Sequence, residues 1–219
     1  MSVEIKICGL STPATIDACS AAGADLAGFI FFARSPRNVT PEAAAPLAAR
    51  ARNANPALAT VAVTVNADDV FLDAIVAAVK PDLLQLHGTE SPERLAELGA
   101  RYGLPLIKAF AIREAADFAA LGAYEGLADR FLLDAKAPQG SDLPGGNGVS
   151  FDWRLLKSLE TPTPWMLSGG LDAANIAEAL AISGARAIDV SSGVESSPGV
   201  KDIAKIAAFI KTVRDMKTV

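Results

Sequence analysis

The chain has 219 residues, 51% hydrophobic and 21% charged, with a formal net charge of -5 at pH 7. That composition excludes a disordered chain, and its acidity excludes a general nucleic-acid surface, since phosphate backbones select basic patches. No run reaches the roughly eighteen uncharged apolar residues a membrane span requires, and Met1 to Lys6 put charge where a signal peptide needs an apolar stretch. A cytoplasmic protein without membrane or nucleic-acid partners is expected. The two cysteines, Cys8 and Cys19, have neither a disulfide framework nor metal-ligand spacing with the one histidine, His87, so no metal is expected.

From Val3 the pattern runs strand, turn, helix, repeated to the end. Strands are predicted near 3–8, 26–32, 59–65, 83–87, 105–110, 130–134, 164–168 and 186–190. Helices are predicted near 12–22, 41–53, 68–79, 91–102, 113–122, 152–158, 172–183 and 201–215. Thr12-Pro13, Thr40-Pro41-Glu42 and Ser91-Pro92-Glu93 each place a capping residue before a proline that the first helical turn tolerates. Gly23, Gly103 and Gly184 follow helical stretches, where a left-handed residue is favoured. This alternation, unbroken by a linker, fits one α/β domain over 1–219: a closed (β/α)8 TIM-type barrel with a parallel eight-stranded core. The rival, an open doubly wound sheet, would carry G-x-G-x-x-G after its first strand, and Cys8-Gly9-Leu10 is not that turn.

Residues two apart on a strand share a face, so a barrel makes a definite statement about each side chain. Val3, Ile5 and Ile7 should face the helices, which sends Glu4, Lys6 and Cys8 inward. Leu84 and Leu86 go outward, leaving Gln85 and His87 inside. Leu132 and Asp134 share the inner face, as does Asp189 between the outward Ile188 and Val190. Barrel interiors are normally apolar, so inward polar groups at strand C-terminal ends mark the site face. Cys8, His87, Asp134 and Asp189 all fall there.

Each of these residues has two readings. Lys6 on the same face as Cys8 would lower the thiol pKa and make it a base or nucleophile; a buried free cysteine is otherwise a small apolar residue, as Cys19 is expected to be. Lys6 itself has Glu4 or Asp189 as an ion-pair partner. Desolvation at the barrel mouth would favour a neutral Asp134 carboxyl, suited to a general acid, while the alternative is a turn cap. The glycine- and proline-rich stretch from Ala135 to Ser150 reads as a lid or as an insertion. Arg37, in Ser35-Pro36-Arg37-Asn38, could hold a carboxylate through two parallel hydrogen bonds or be merely solvated. His87 could orient substrate, act as an acid or support its loop. Two strands break into small residues, Ser168-Gly169-Gly170 and Ser191-Ser192-Gly193. Uncovered N–H groups there, with helix starts beyond, could hold one phosphate between Gly169, Gly170, Ser191, Ser192 and Gly193.

Taken in order, Lys6-Ile7-Cys8-Gly9, Gly28 to Phe32 with Ser35 to Glu42, Gln85-Leu86-His87-Gly88, Leu132-Leu133-Asp134, Gly145 to Gly148 with Phe151-Asp152-Trp153, Leu167 to Leu171, and Asp189 to Glu195 resemble the phosphoribosylanthranilate isomerase family nearly end to end. Thr64 departs from it, standing where relatives tend to carry phenylalanine, which leaves the packing near the site floor open. The resemblance implies an Amadori rearrangement of a small-molecule phosphosugar in tryptophan biosynthesis, without metal or cofactor. It implies Asp134 as general acid, Cys8 as general base, Arg37 on the anthranilate carboxylate and the two glycine turns as phosphate cradle. Lys6, His87 and Asp189 are expected beside the substrate. Monomer and homodimer both occur among relatives. A histidine-pathway aminoaldose isomerase and a non-catalytic phosphosugar-binding barrel remain the alternatives; the former usually carries an aspartate where Cys8 stands.

Overall fold

A computed structural model describes residues 2–137, 145, 146 and 148–216. Eight parallel strands, β1 (Glu4–Cys8), β2 (Leu26–Phe31), β3 (Ala59–Thr64), β4 (Leu83–Leu86), β5 (Leu106–Ile112), β6 (Arg130–Ala135), β7 (Trp165–Leu167) and β8 (Ala187–Val190), follow one another around a closed barrel. Closure is made by β1 against β8, where Lys6 lies opposite Asp189. The helices α1 (Pro13–Ala22), α2 (Pro41–Ala54), α3 (Asp69–Val79), α4 (Pro92–Tyr102), α5 (Ile176–Ser183) and α6 (Ile203–Asp215) alternate with the strands.

The helix signals are realised in detail. Thr12, Thr40 and Ser91 accept hydrogen bonds from the backbone N–H of Thr15, Ala43 and Arg94, and Gly23, Gly103 and Gly184 close their helices in the left-handed region. Two predicted helices differ. The stretches Ala115–Tyr124 and Trp153–Ser158 wind as 3-10 turns. The second is only six residues long, too short to offset the nucleation of an α-helix. The last predicted helix starts two residues late because Glu195–Ser197 (β9) and Val200–Lys201 (β10) pair as a small antiparallel hairpin.

Packing follows the predicted alternation. Ile5, Ile7, Leu84, Leu86, Ile188 and Val190 join the core between strands and helices, while Cys8, Leu26, Val61, Val63, Leu83, Ile107, Leu132 and Met166 form a second cluster within the barrel. Thr64 lies next to Val63 on β3 and so takes the outward face with Ala62. The departure from phenylalanine therefore concerns helix packing, and the expectation that it touches the site floor is corrected.

Phe131 is fully buried and packs edge-to-face on Phe110, ring centroids 5.1 Å apart. Phe131→Ala is expected to lower folding stability by about 3–5 kcal/mol, read from a denaturant midpoint, because the ring leaves a cavity that the fixed barrel cannot collapse.

Candidate active site

A cavity of about 70 Å³, open to solvent, sits at the C-terminal ends of the strands. Cys8, Arg37, His87, Asp134, Asp189, Gly169, Gly170, Ser191 and Ser192 all line it. They come from β1, β6, β8 and the turns after β2, β4, β7 and β8, so the parallel topology gathers distant positions at one end. Lys6 and Gly193 do not line it.

Lys6 lies below the floor, fully buried, with its Nζ 2.7 Å from Asp189 Oδ1. Ser168 Oγ donates to the other oxygen of Asp189 at 3.2 Å. Glu4 is not its partner, since that carboxylate pairs with Arg130 at the opposite end of the barrel. Burial pulls the Lys6 ammonium down, but Asp189 and Cys8 outweigh it and hold the pKa above the ordinary lysine value. For Cys8 the Lys6 ammonium lowers the thiol pKa as expected, but it does not prevail. Burial pushes the thiol up more than Lys6 draws it down, with Asp189 adding to the rise, which favours the neutral thiol. Cys19 is inert as expected: fully buried in α1, its thiol is pushed up to about 12 by burial.

Asp134 is the penultimate residue of β6, its Oδ1 accepting the N–H of Ala135 at 2.9 Å. Its Oδ2 lies 3.4 Å from His87 Nε2. His87 in turn meets Gln85 Nε2 through Nδ1 at 2.9 Å. With the amide as donor, the neutral ring carries its proton on Nε2, facing the carboxyl. Lys108 fixes the loop behind His87 by donating to Gly88 O at 2.7 Å and to Glu90 Oε2 at 2.9 Å.

Gly145 lies directly over this pair: a Cβ there would stand 2.5 Å from Asp134 Oδ2 and 2.7 Å from His87 Nε2. Only a residue without a side chain can close against the acid at this distance. Of the proposed lid, 138–144 and 147 lie outside the described residues.

Arg37 is buried, not solvated, and its fork is occupied. Nε donates to Glu195 Oε1 at 2.6 Å and Nη2 to Oε2 at 2.8 Å. The two-bond geometry expected for a substrate carboxylate is therefore taken by Glu195; Nη2 also donates to Gly146 O at 3.3 Å, so among the described residues Nη1, close against Gly146, is the nitrogen left for a ligand. Burial would raise Glu195, but Arg37 and Lys201 hold its carboxyl below the ordinary range. Sequence reasoning missed Glu195, Lys201 and Gln85 as partners. A buried arginine demands a carboxylate, and Glu195 stands at the end of the Asp189–Glu195 motif, so the signal was present.

The small-residue turns adjoin, though not as expected. Neither runs straight into a helix: α5 begins at Ile176, and β8 is followed by a single 3-10 turn, Ser192–Val194, then the hairpin. What joins them is backbone contact, since a Cβ on Gly193 would stand 1.9 Å from Leu171 O. Gly193 thus seats one turn on the other without facing the cavity. Gly193→Ala is expected to raise KM for a phosphorylated substrate about tenfold or more by prising the turns apart, with a lowered Tm.

Comparison with known proteins gives the same picture. The family model for N-(5'phosphoribosyl)anthranilate (PRA) isomerase matches residues 5–212. An N-(5'-phosphoribosyl)anthranilate isomerase from Rhizobium meliloti (strain 1021) is 58% identical over 214 residues, covering 98% of each chain. One from Agrobacterium fabrum is 59% identical over 215 residues, covering 98% of this chain and 96% of that one. The crystal structure of phosphoribosyl anthranilate isomerase from Thermotoga maritima superposes with a TM-score of 0.83 at 32% identity, over 98% of this chain and 100% of that one. A phosphoribosyl anthranilate isomerase in complex with reduced 1-(o-carboxyphenylamino)-1-deoxyribulose 5-phosphate gives 0.80 at 30% identity, over 98% and 100%. With the family model spanning nearly its whole length, the chain belongs to the N-(5'-phosphoribosyl)anthranilate isomerase family.

Proposed function

We propose that the protein rearranges N-(5-phosphoribosyl)anthranilate to 1-(o-carboxyphenylamino)-1-deoxyribulose 5-phosphate in tryptophan biosynthesis, with Asp134 as general acid and Cys8 as general base. The observation that carries this reading is that one cavity is lined by both residues together with Arg37 and the two glycine turns. The ligand held by the 30% identical relative is named as a reduced form of that product.

Asp134 gives its proton to the furanose oxygen as the bond from that oxygen to C1 breaks, and the nitrogen lone pair forms the C1=N iminium. Cys8 removes the C2 proton; the electron pair left behind forms C1=C2 and the iminium π electrons return to nitrogen, giving the enolamine. Tautomerisation is proton-neutral, C1 taking up one proton and the enol oxygen releasing one; the count closes when Cys8 releases its proton to solvent and Asp134 takes one up before the next turnover. The order bears on the raised thiol pKa, because the iminium formed first brings a positive charge that favours thiolate. Main-chain amides of Gly169, Gly170, Ser191 and Ser192 hold the phosphate as a remote handle, and Arg37 meets the anthranilate carboxylate. His87 and Asp189 stand at the cavity wall beside the acid and beneath the base.

In this reading the chain works as one barrel domain in the cytoplasm, as monomer or homodimer, on a small-molecule phosphosugar alone. Among the described residues no helix is long and apolar enough to cross a membrane. The test is conversion of phosphoribosylanthranilate, followed as loss of its fluorescence, beside the histidine-pathway aminoaldose. Turnover of neither, or only of the second, would overturn the proposal.

A further inference from the structure

Between the turn after β8 and the loop after β2 lies a group of charges that neither proton transfer uses. Besides holding Arg37 at two points, Glu195 accepts from Lys201 Nζ at 2.7 Å on Oε1 and from the Gly199 N–H at 3.2 Å on Oε2. Lys201 Nζ also donates to Ser191 O at 2.8 Å and to Ser191 Oγ at 3.1 Å. The side chains are deeply buried, with exposures of 4% for Arg37 and Glu195 and 1% for Lys201. Ser191 also reaches β1, its Oγ donating to Cys8 O at 3.1 Å.

Two cations share one anion here, so the group carries a surplus positive charge between the two ends of the site. An arginine side chain has many rotamers, and a carboxylate clasping its Nε edge fixes both its plane and its direction. A lysine bound at once to that carboxylate and to a turn carbonyl ties the turn to the same anchor.

Resting on the isomerase reading above, we infer that Glu195 and Lys201 are positioning residues that join the two anion-binding ends of the site: Glu195 aims the Nη end of Arg37 at the substrate carboxylate, and Lys201 fixes the Ser191 turn of the phosphate cradle to Glu195. The hairpin of β9 and β10 frames that link, pairing Glu195 with Lys201 across its two strands.

The experiment is a cycle of wild type, Glu195→Gln, Arg37→Ala and the double variant, in steady-state turnover of phosphoribosylanthranilate. Glu195→Gln is expected to raise KM about tenfold or more with kcat within about threefold, and to add less than about twofold on top of Arg37→Ala, because it acts through that residue. Lys201→Met is expected to raise Ki for inorganic phosphate, as competitive inhibitor, about fivefold or more. A wild-type KM in Glu195→Gln, effects that multiply in the double variant, or an unchanged phosphate Ki would each overturn the inference. Should Glu195→Gln fail to fold, Glu195→Asp, which keeps the charge but withdraws it by one methylene, is read in the same cycle against the same outcomes. A wild-type protein without turnover would instead sink the isomerase reading itself.

Discussion

Asp134→Asn is expected to lower kcat about 10²–10⁴-fold while leaving KM nearly unchanged. Asparagine keeps the shape at the end of β6, and its amide oxygen can still accept the Ala135 N–H that now bonds Oδ1. What it lacks is a proton to transfer to the ring oxygen. A loss confined to kcat therefore reports chemistry, whereas a rise in KM alone would show Asp134 to be a binding or capping group. The neighbour sharpens the reading. His87 Nε2 lies 3.4 Å from the carboxyl, and His87→Gln should lower kcat less than Asp134→Asn, since the proton donor itself remains.

For Cys8 the prediction is a pH dependence. Burial holds the thiol pKa above its ordinary value, so across the neutral range the base form is scarce and grows as pH rises toward that raised pKa. The sign for the thiol itself follows: the rate of Cys8 alkylation by iodoacetamide, which reads the thiolate, should climb with pH by about tenfold per unit, without a plateau until the thiol ionises in the free enzyme. Cys8→Ala should lower kcat about 10²–10⁴-fold and flatten this limb. Lys6→Met removes the largest influence that lowers the thiol pKa, so the limb should move to higher pH. It also leaves the buried Asp189 without its partner, and a stability loss of about 3–5 kcal/mol is expected alongside. A limb that plateaus below the ordinary thiol range in wild type would show that Lys6, not burial, sets the thiol pKa.

Much of the site was legible before folding because strands impose a period of two. Once Ile5 and Ile7 were assigned to the helices, Lys6 and Cys8 had to point inward, and the same step put Gln85, Asp134 and Asp189 inside. Where local rules ran out, they did so for a physical reason. The direction of the Cys8 shift depends on the balance between burial and a nearby ammonium, and a sequence shows the ammonium but not the depth. Arg37 read as a free fork because its partner is 158 positions away. The stretches read as helices at 113–122 and 152–158 wind as 3-10 turns over Ala115–Tyr124 and Trp153–Ser158.

Strand order, the inner and outer faces, the helix caps and the identity of the strand-end residues follow from the sequence alone, because periodicity, capping and turn chemistry act over a few residues. Which carboxylate clasps Arg37, whether Lys6 serves Glu4 or Asp189, how the two glycine turns are seated on one another and how far the thiol is removed from water were decided only in the closed barrel. Each depends on distances between strands far apart in the chain, and on a desolvation that exists only when the ring of strands has closed.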